Sequence, residues 1–308
     1  MAEKMFEEYP RTSEKRIYVL LFLLILLGLL VIIFATNKTT EPKSVFAMQD
    51  KEADTNQTAT EPNLPPEQKP GDPNEKKPLR PVHKHPAFAE RVEERERMVS
   101  RQIETRAVKD PNVLSAMRVV PRHVFVRSTE QRYAYADHPL PIDYDQTISQ
   151  PYIVAFMTEA LNLDPNSVVL EIGTGSGYQA AVCAEIAKQV YTIEIVEELA
   201  VSAKKLLKKL GYPNVFARAG DGFFGWPEHA PFDAIIGTAA AGRIPEPLIE
   251  QLKPGGRMIL PYGSPYGFQY LVLITKDKEG NLKSKNVMPV RFVPMTGEVQ
   301  KPEEESKE

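Results

Sequence analysis

The order of apolar and polar positions separates an N-terminal region from a folded body. Residues 17–36 are apolar without a charged side chain, about the length of a helix that crosses a bilayer core. A cleaved signal peptide fits less well, because its apolar region is shorter and its cleavage site follows closely. Residues 37–86 are rich in Pro, Glu, Lys, Asn and Thr, a composition that cannot form a core. We predict a cytoplasmic tail (1–16), one transmembrane helix (17–36) and a disordered tether (37–86).

The body is predicted to span residues 87–298 and to be followed by a disordered tail, 299–308. Its first part, residues 87–161, shows the spacing of amphipathic helices. A proline divides a short extended piece near residue 121 from the preceding helix. Helices are expected at 88–105, after the capping residue Asp110, and at 151–161, where Ser149 or Gln150 would be the N-cap.

In the second part, residues 162–298, short apolar runs alternate with helical patterns. Strands are predicted at 168–172, 190–195, 215–219, 232–237 and 257–261, with helices at 177–188, 197–210 and 245–252. Helix-length connections between strands indicate a doubly wound, mostly parallel α/β sheet, a Rossmann-like fold. The runs 269–275 and 286–292 have no helix between them, so they predict an antiparallel hairpin at one edge.

Composition narrows the function without identifying it. The chain has 308 residues, 42% of them hydrophobic, and a net charge of −3 with both signs mixed. Because positively charged residues are not in excess, the composition gives no reason to expect nucleic acid as a partner. The single cysteine, Cys183, excludes an internal disulfide framework and a multi-cysteine metal site, and we assign no metal.

Candidate chemistry follows three consecutive predicted strands, where ligands bind in sheets of this kind. The first stretch is Glu171-Ile-Gly-Thr-Gly-Ser-Gly, whose Gly-x-Gly-x-Gly spacing departs from the Gly-x-Gly-x-x-Gly of dinucleotide sites. Glu171 would repel a pyrophosphate and suit a cation. Glu194, at the end of the next strand, could accept both ribose hydroxyls, and Asp221 could accept an adenine amino group. A nucleoside without phosphates and with a positive charge fits these positions, and S-adenosylmethionine is such a ligand.

The motifs VLEIGTGSGYQAA, YTIEI, GDG, PFDAII and LKPGGRMILP together resemble a class I S-adenosylmethionine-dependent methyltransferase. The segments DQTISQPYIVAFM and RFVPMTGE resemble, more particularly, the protein-L-isoaspartate O-methyltransferase family, over about residues 90–298. The resemblance implies a monomeric body that methylates isoaspartyl residues of proteins and peptides. It implies Ser149 as the catalytic residue and Thr147, Ile148 and Thr296 as substrate-binding residues. The cofactor-binding residues would be Glu171, Gly173, Thr174, Gly175, Gly177, Glu194, Gly220 and Asp221.

Other functions remain open at this point. A methyltransferase of this fold could act on another carboxylate or on a small molecule. The loop spacing disfavours a dinucleotide oxidoreductase, and the retained site residues disfavour an inactive binding domain. The location of the body is also open. Four basic residues precede the apolar run and three follow it, a bias that favours export only weakly. Because S-adenosylmethionine is made in the cytoplasm, we expect the body to face the cytoplasm, with the periplasm as the alternative.

Overall fold

The computed structural model describes residue 81 and residues 83–264 and 267–301. The predicted tail 1–16, transmembrane helix 17–36 and nearly all of the tether 37–86 lie outside these residues, as does most of the tail 299–308. Within the described ranges, no helix combines the length and apolarity needed to cross a membrane. The described end of the predicted tether contacts the body, because His83 Nε2 lies 2.9 Å from Glu185 Oε1.

The first part of the body is helical, with α1 at Val92–Met98, α2 at Pro111–Val119 and α3 at Pro151–Leu161. The Asp110 cap is confirmed, since its carboxylate accepts from the amides of Asn112 and Val113. Gln150 occupies the N-cap position of α3.

The prediction of one continuous helix at 88–105 is wrong at its start, whereas from Val92 the helix continues through α1 and a π-helical turn at Val99–Ile103. A short 3-10 helix, Pro86–Ala89, precedes α1, and Arg91 between them has a left-handed backbone with φ 50°. The buried guanidinium of Arg95 explains the break, because it donates to the carbonyl oxygens of Phe88 and Glu90 at 2.6 Å and of Arg118 at 2.7 Å. These bonds give the carbonyls at the break a partner outside a helix ladder. The extended piece predicted near residue 121 is also wrong, since Arg122–Phe125 form a 3-10 helix.

The second part of the body contains a seven-stranded sheet with helices on its faces. Its strands are β3 (Val168–Ile172), β4 (Gln189–Glu194), β5 (Val215–Ala219), β6 (Phe232–Gly237), β7 (Leu252–Gly263), β8 (Gln269–Lys276) and β9 (Leu282–Val290). The crossing helices are α4 (Tyr178–Ile186), α5 (Glu197–Leu210) and α6 (Glu246–Gln251). The strand order is β5-β4-β3-β6-β7-β8-β9, parallel from β5 to β7 and antiparallel at β7-β8 and β8-β9. The predicted Rossmann-like sheet with an antiparallel edge hairpin is thus confirmed.

Strand β7 is much longer than predicted. β7 begins at Leu252, five residues before the predicted start, and its pairing with β6 is irregular between Phe232 and Ala234. Gly256 lies in this irregular stretch against backbone, where an added Cβ would stand 2.9 Å from the carbonyl oxygen of Asp233. The Pro-Gly-Gly sequence therefore marks a bulge within the strand rather than a loop before it.

A small hairpin that the sequence did not predict precedes α3. Its strands are β1 (Leu140–Pro141) and β2 (Thr147–Ile148), which pair antiparallel. Tyr144 and Asp145 at its tip have positive φ angles of 58° and 54°. Two successive left-handed residues form the kind of turn that joins adjacent antiparallel strands.

Candidate active site

A single cleft at the carboxyl ends of the strands brings together most of the predicted site residues. It has about 860 Å³ of empty space, open solvent at its mouth included. Nine predicted residues line it: Thr147, Ile148, Ser149, Glu171, Gly173, Thr174, Gly175, Glu194 and Thr296. Gly177, Gly220 and Asp221 do not line it.

The glycine-rich loop after β3 closes tightly on its neighbours. Gly173 has a φ of 94°, and a Cβ there would stand 2.4 Å from Thr238 Oγ1. Any other residue at this position would be strained and would collide with the end of β6. Gly177 has a φ of 89° and packs on α5, where its Cβ would stand 3.1 Å from Leu207 Cδ1. Gly177 therefore serves the packing of two helices rather than the wall of the cleft.

Glu171 is the buried acidic group of the cleft. Its Oε2 accepts a 2.5 Å hydrogen bond from Thr192, whose hydroxyl also lies 2.6 Å from that of Thr174. Its Oε1 is buried and has no hydrogen-bond partner among the described residues. Burial, with a smaller contribution from Glu194, raises the pKa of Glu171 to about 8 against the hydrogen bond from Thr192. A cationic group in the cleft would favour its ionised form.

Glu194 holds the glycine loop from the end of β4. Its Oε2 accepts from the amide of Gly175 at 2.7 Å, and its Oε1 accepts from the amide of Val196 at 3.1 Å. These two bonds fix the carboxylate of a residue that is only 5% exposed. Further lone pairs on each oxygen remain for a ligand in the cleft.

Asp221 does not line the cleft, although the sequence predicted that it contacts the cofactor there. Its Oδ1 accepts from the amide of Phe223 at 2.9 Å, and its Oδ2 accepts from the amide of Glu298 at 2.7 Å. The carboxylate therefore joins the loop after β5 to the C-terminal segment. The neighbouring Gly222 lines the cleft instead, and a contact of Asp221 with adenine stays a prediction.

Ser149 enters the cleft directly after β2, at the end of the small hairpin. Its hydroxyl has no hydrogen-bond partner among the described residues, so it can bind a ligand. The alternative N-cap position for Ser149 is wrong, because Gln150 is the cap and turns its side chain away. Gln150 Nε2 donates to the carbonyl oxygen and to Oδ1 of Asp137, at 3.0 and 2.7 Å. Asp137 is in turn paired with Arg106.

Sequence reasoning missed two parts of the cleft. Thr238 and Ala239 follow β6 and line it, and the segment Val293-Pro294-Met295 covers it. Ala240 holds this cover, since its amide donates to Val293 O and its carbonyl accepts from Met295, both at 2.8 Å. The position of β6 next to β3 could have indicated Thr238. The covering segment depends on contacts between residues far apart in the chain.

The charges of the cleft are distributed unevenly. Glu171 and Glu194 are the charged side chains that line it within the described residues. They lie at the ends of β3 and β4, whereas the hydroxyls of Ser149 and Thr296, which have no hydrogen-bond partner among the described residues, line the part formed by the hairpin and the C-terminal segment. The hydroxyl of Thr238 also lines the cleft but already donates to the carbonyls of Ile172 and Gly173. The β3–β4 end thus suits a cation, and the hydroxyl-lined end can donate to an anionic acceptor.

This sheet order, with a glycine loop and an acidic residue after its two central strands, defines an α/β protein of the Rossmann-like methyltransferase class. Residues 93–300 match the family described as Protein-L-isoaspartate(D-aspartate) O-methyltransferase, so the chain belongs to that family. A protein-L-isoaspartate O-methyltransferase 2 of Syntrophobacter fumaroxidans is 56% identical over 206 residues, 67% of this chain and 83% of that protein. A protein-L-isoaspartate O-methyltransferase of Gloeobacter violaceus is 54% identical over 207 residues, 67% of this chain and all of that protein.

Solved structures agree with this membership. A protein-L-isoaspartate O-methyltransferase structure is similar with a TM-score of 0.61 and 32% identity, over 67% of each chain. A putative protein-L-isoaspartate O-methyltransferase of Plasmodium falciparum, in complex with S-adenosyl-L-homocysteine, is similar with a TM-score of 0.55 and 25% identity. That alignment covers 67% of this chain and 97% of the other.

Proposed function

We propose that the chain repairs proteins by transferring a methyl group from S-adenosylmethionine to the free α-carboxylate of L-isoaspartyl residues. Its family membership supports this activity. The observation that carries the proposal at the level of residues is the divided cleft. Carboxylates lie at one end of it, and at the other lie the hydroxyls of Ser149 and Thr296, which have no partner among the described residues, as a cationic donor and an anionic acceptor require.

The residues at the β3–β4 end fit the cofactor. The buried Oε1 of Glu171 has no hydrogen-bond partner within the described part of the chain, and an ammonium group could donate to it while a sulfonium would attract its charge. Gly173 and Gly175 let the ligand approach the backbone, while Glu194 can accept ribose hydroxyls. When bound, S-adenosylmethionine supplies a methyl group already activated by its attachment to a positively charged sulfur.

The chain's own contribution is to hold the acceptor. An isoaspartyl α-carboxylate is ionised at neutral pH, so no base has to remove a proton. An oxygen lone pair of the carboxylate forms the bond to the methyl carbon, and the electrons of the broken carbon–sulfur bond stay on sulfur. Ser149 would donate a hydrogen bond to the other carboxylate oxygen, and Thr147, Ile148 and Thr296 would bound the acceptor site. Alignment of the reacting atoms, with water excluded once both substrates fill the cleft, would supply the catalysis.

Methyl transfer by the full-length chain tests the proposal. Labelled S-adenosylmethionine would be incubated with an isoaspartyl peptide and, separately, with the same peptide carrying a normal aspartate. We expect transfer to the first peptide alone, strongly reduced by Ser149→Ala and unaffected by Ser128→Ala, a change at an exposed serine outside the cleft. Equal transfer to both peptides, or to neither, would favour the alternative that another carboxylate or a small molecule is the acceptor.

We also propose that residues 17–36 anchor the enzyme in a membrane with the body facing the cytoplasm. The apolar length of this run supports the anchor, and the cytoplasmic origin of S-adenosylmethionine supports the orientation. The predicted boundaries of tail, tether and body belong to this proposal. A reporter that is active only after export, fused at residue 298, should be silent. Strong reporter activity would place the body in the periplasm.

A further inference from the structure

Three exposed aromatic residues lie together beside the cleft. Tyr262 on β7 and Tyr270 on β8 are direct partners across the two strands, and each is 41% exposed. Phe268 precedes Tyr270 by two residues and is 90% exposed. We call these three residues the aromatic patch. Single exposed apolar side chains are common, but adjoining ones mark surfaces that bind another molecule.

The backbone connects the patch to the wall and the cover of the cleft. The amide of Ala241 donates to the carbonyl of Pro261 at 2.9 Å, and the amide of Gly263 donates to the carbonyl of Ala241 at 3.1 Å. Tyr262 is therefore held against the loop whose earlier residues, Thr238 and Ala239, line the cleft.

The start of β8 is fixed to the cover in the same way. The buried side chain of Gln269, between Phe268 and Tyr270, accepts from the amide of Phe292 at 2.7 Å and donates to its carbonyl at 3.3 Å. Val293, which lines the cleft, is the next residue. The patch is thus continuous with the site on the side away from Glu194.

We propose that the aromatic patch binds the polypeptide that flanks the methylated residue. This inference rests on the proposed function, since an isoaspartyl substrate is part of a chain that must leave the cleft. Along the sheet edge the order is β4, β3, β6, β7, β8. Strands about 4.8 Å apart place β7 about 10 Å and β8 about 14 Å from β3. An extended peptide rises about 3.3 Å per residue, so the patch meets side chains roughly three to five residues from the isoaspartate.

The composition of the hairpin favours a polypeptide over a lipid surface. Residues 261–270, PYGSPYGFQY, contain no Lys or Arg that would attract anionic lipid headgroups. Tyr, Ser and Gly are the residues with which adaptable protein-binding surfaces contact varied chains. The patch therefore suits apolar or aromatic side chains in an unfolded segment, and it would let the enzyme favour damaged regions that are exposed and flexible.

The test uses the full-length chain and three isoaspartyl peptides, one short and two long. The short peptide ends two residues from the isoaspartate on both sides, and the long ones extend six residues on one side or the other with leucine at the fourth position. Substitutions are Phe268→Ser, Tyr262→Ser and Tyr270→Ser. Leu282→Ser is the matched control. Leu282 is an exposed apolar residue at the start of β9, and it pairs with Lys276 at the end of β8 far from the aromatic patch.

We expect KM for one of the long peptides to rise roughly tenfold in each patch variant, the effect of losing one partly buried aromatic side chain. KM for the short peptide, kcat and cofactor affinity should stay at the parent values, and the control should behave as the parent. Unchanged KM for both long peptides would overturn the proposal. If the substitutions instead changed the sedimentation coefficient, the aromatic patch would bind a second copy of the chain. If they changed the quenching of protein fluorescence by brominated lipid, the aromatic patch would bind a bilayer. Absence of methylation of all three peptides by the parent chain would refute the proposed function itself.

Discussion

Replacement of Glu171 by glutamine is expected to stabilise the cofactor-free protein at alkaline pH. The side chain is fully buried, and only one of its oxygens has a partner among the described residues. Removal from water raises its pKa from 4.5 to about 8, with Glu194 adding to the effect and Thr192 opposing it. The folded protein therefore holds this proton more tightly than the unfolded chain does.

The sign of the pH dependence follows from this difference. Between pH 4.5 and about 8 the folded state binds more protons at Glu171 than the unfolded state, so the free energy of unfolding falls as pH rises. The contribution of the group is fully present below pH 4.5 and lost as pH rises through about 8. At about 1.4 kcal/mol per pKa unit, the loss is on the order of 5 kcal/mol above pH 8. Glutamine has no proton to lose and keeps the neutral form at every pH.

Urea unfolding at pH 6 and pH 9, without cofactor, measures the effect. The parent should lose about 3 kcal/mol more than Glu171→Gln between these conditions, because only the part of the titration between pH 6 and about 8 falls within them. Glu250→Gln, a change at an exposed glutamate of α6, should track the parent. Parallel losses in the parent and in Glu171→Gln would show that Glu171 does not carry this pH dependence.

Cofactor binding gives a second measurement of the same group. A cation beside Glu171 favours the carboxylate, so binding near pH 7 should release a proton. Calorimetry in two buffers of different ionisation enthalpy should then give different binding heats for the parent and equal heats for Glu171→Gln. Equal heats for the parent in both buffers would refute a proton released from Glu171.

Three further substitutions separate the roles within the cleft. Ser149→Ala should lower kcat roughly 10- to 100-fold, the loss of one hydrogen bond to a charged acceptor, with cofactor affinity unchanged by calorimetry; turnover at the parent rate would contradict its catalytic assignment. Glu194→Ala should weaken cofactor binding by about 1–3 kcal/mol, because the amide of Gly175 and the ribose both lose an acceptor. A parent-like affinity in calorimetry would exclude the contact between Glu194 and the ribose. Asp221→Ala should raise KM for the peptide as well as weaken cofactor binding, because it releases the amide of Glu298; unchanged peptide kinetics would show that the cover does not depend on this bond.

The sequence predicted best those elements whose apolar residues are buried by their nearest neighbours. The helix at Glu197–Leu210 and the strands Val168–Ile172 and Phe232–Gly237 have the predicted bounds. α5 has a distinct apolar stripe on one side, and β6 is buried along nearly its whole length. Each pattern is local, so it can be read from a short window of sequence.

The failures come from contacts that no local window contains. The first predicted helix begins late, at Val92, and the break before it is held by Arg95, whose guanidinium donates to the carbonyls of Phe88 and Glu90. The same guanidinium also donates to the carbonyl of Arg118, more than twenty residues away in the sequence. The cover of the cleft, from Val293 to Met295, depends on Ala240, more than fifty residues earlier in the sequence. The Thr-Ile-Ser segment was identified through resemblance, but its hairpin became visible only in the structure.

Asp221 shows how a motif residue can have more than one partner. Resemblance and strand position assign it to the adenine of the cofactor, whereas the structure gives its two oxygens to the amides of Phe223 and Glu298. A carboxylate has about four lone-pair sites, so two amides leave room for an amino group, and the two assignments do not compete. If both hold, Asp221 connects the nucleoside end of the cleft to the segment that covers the acceptor. Loss of Asp221 would then act on cofactor and peptide together, whereas Glu194→Ala would act on the cofactor alone, and this contrast separates a shared carboxylate from a structural one.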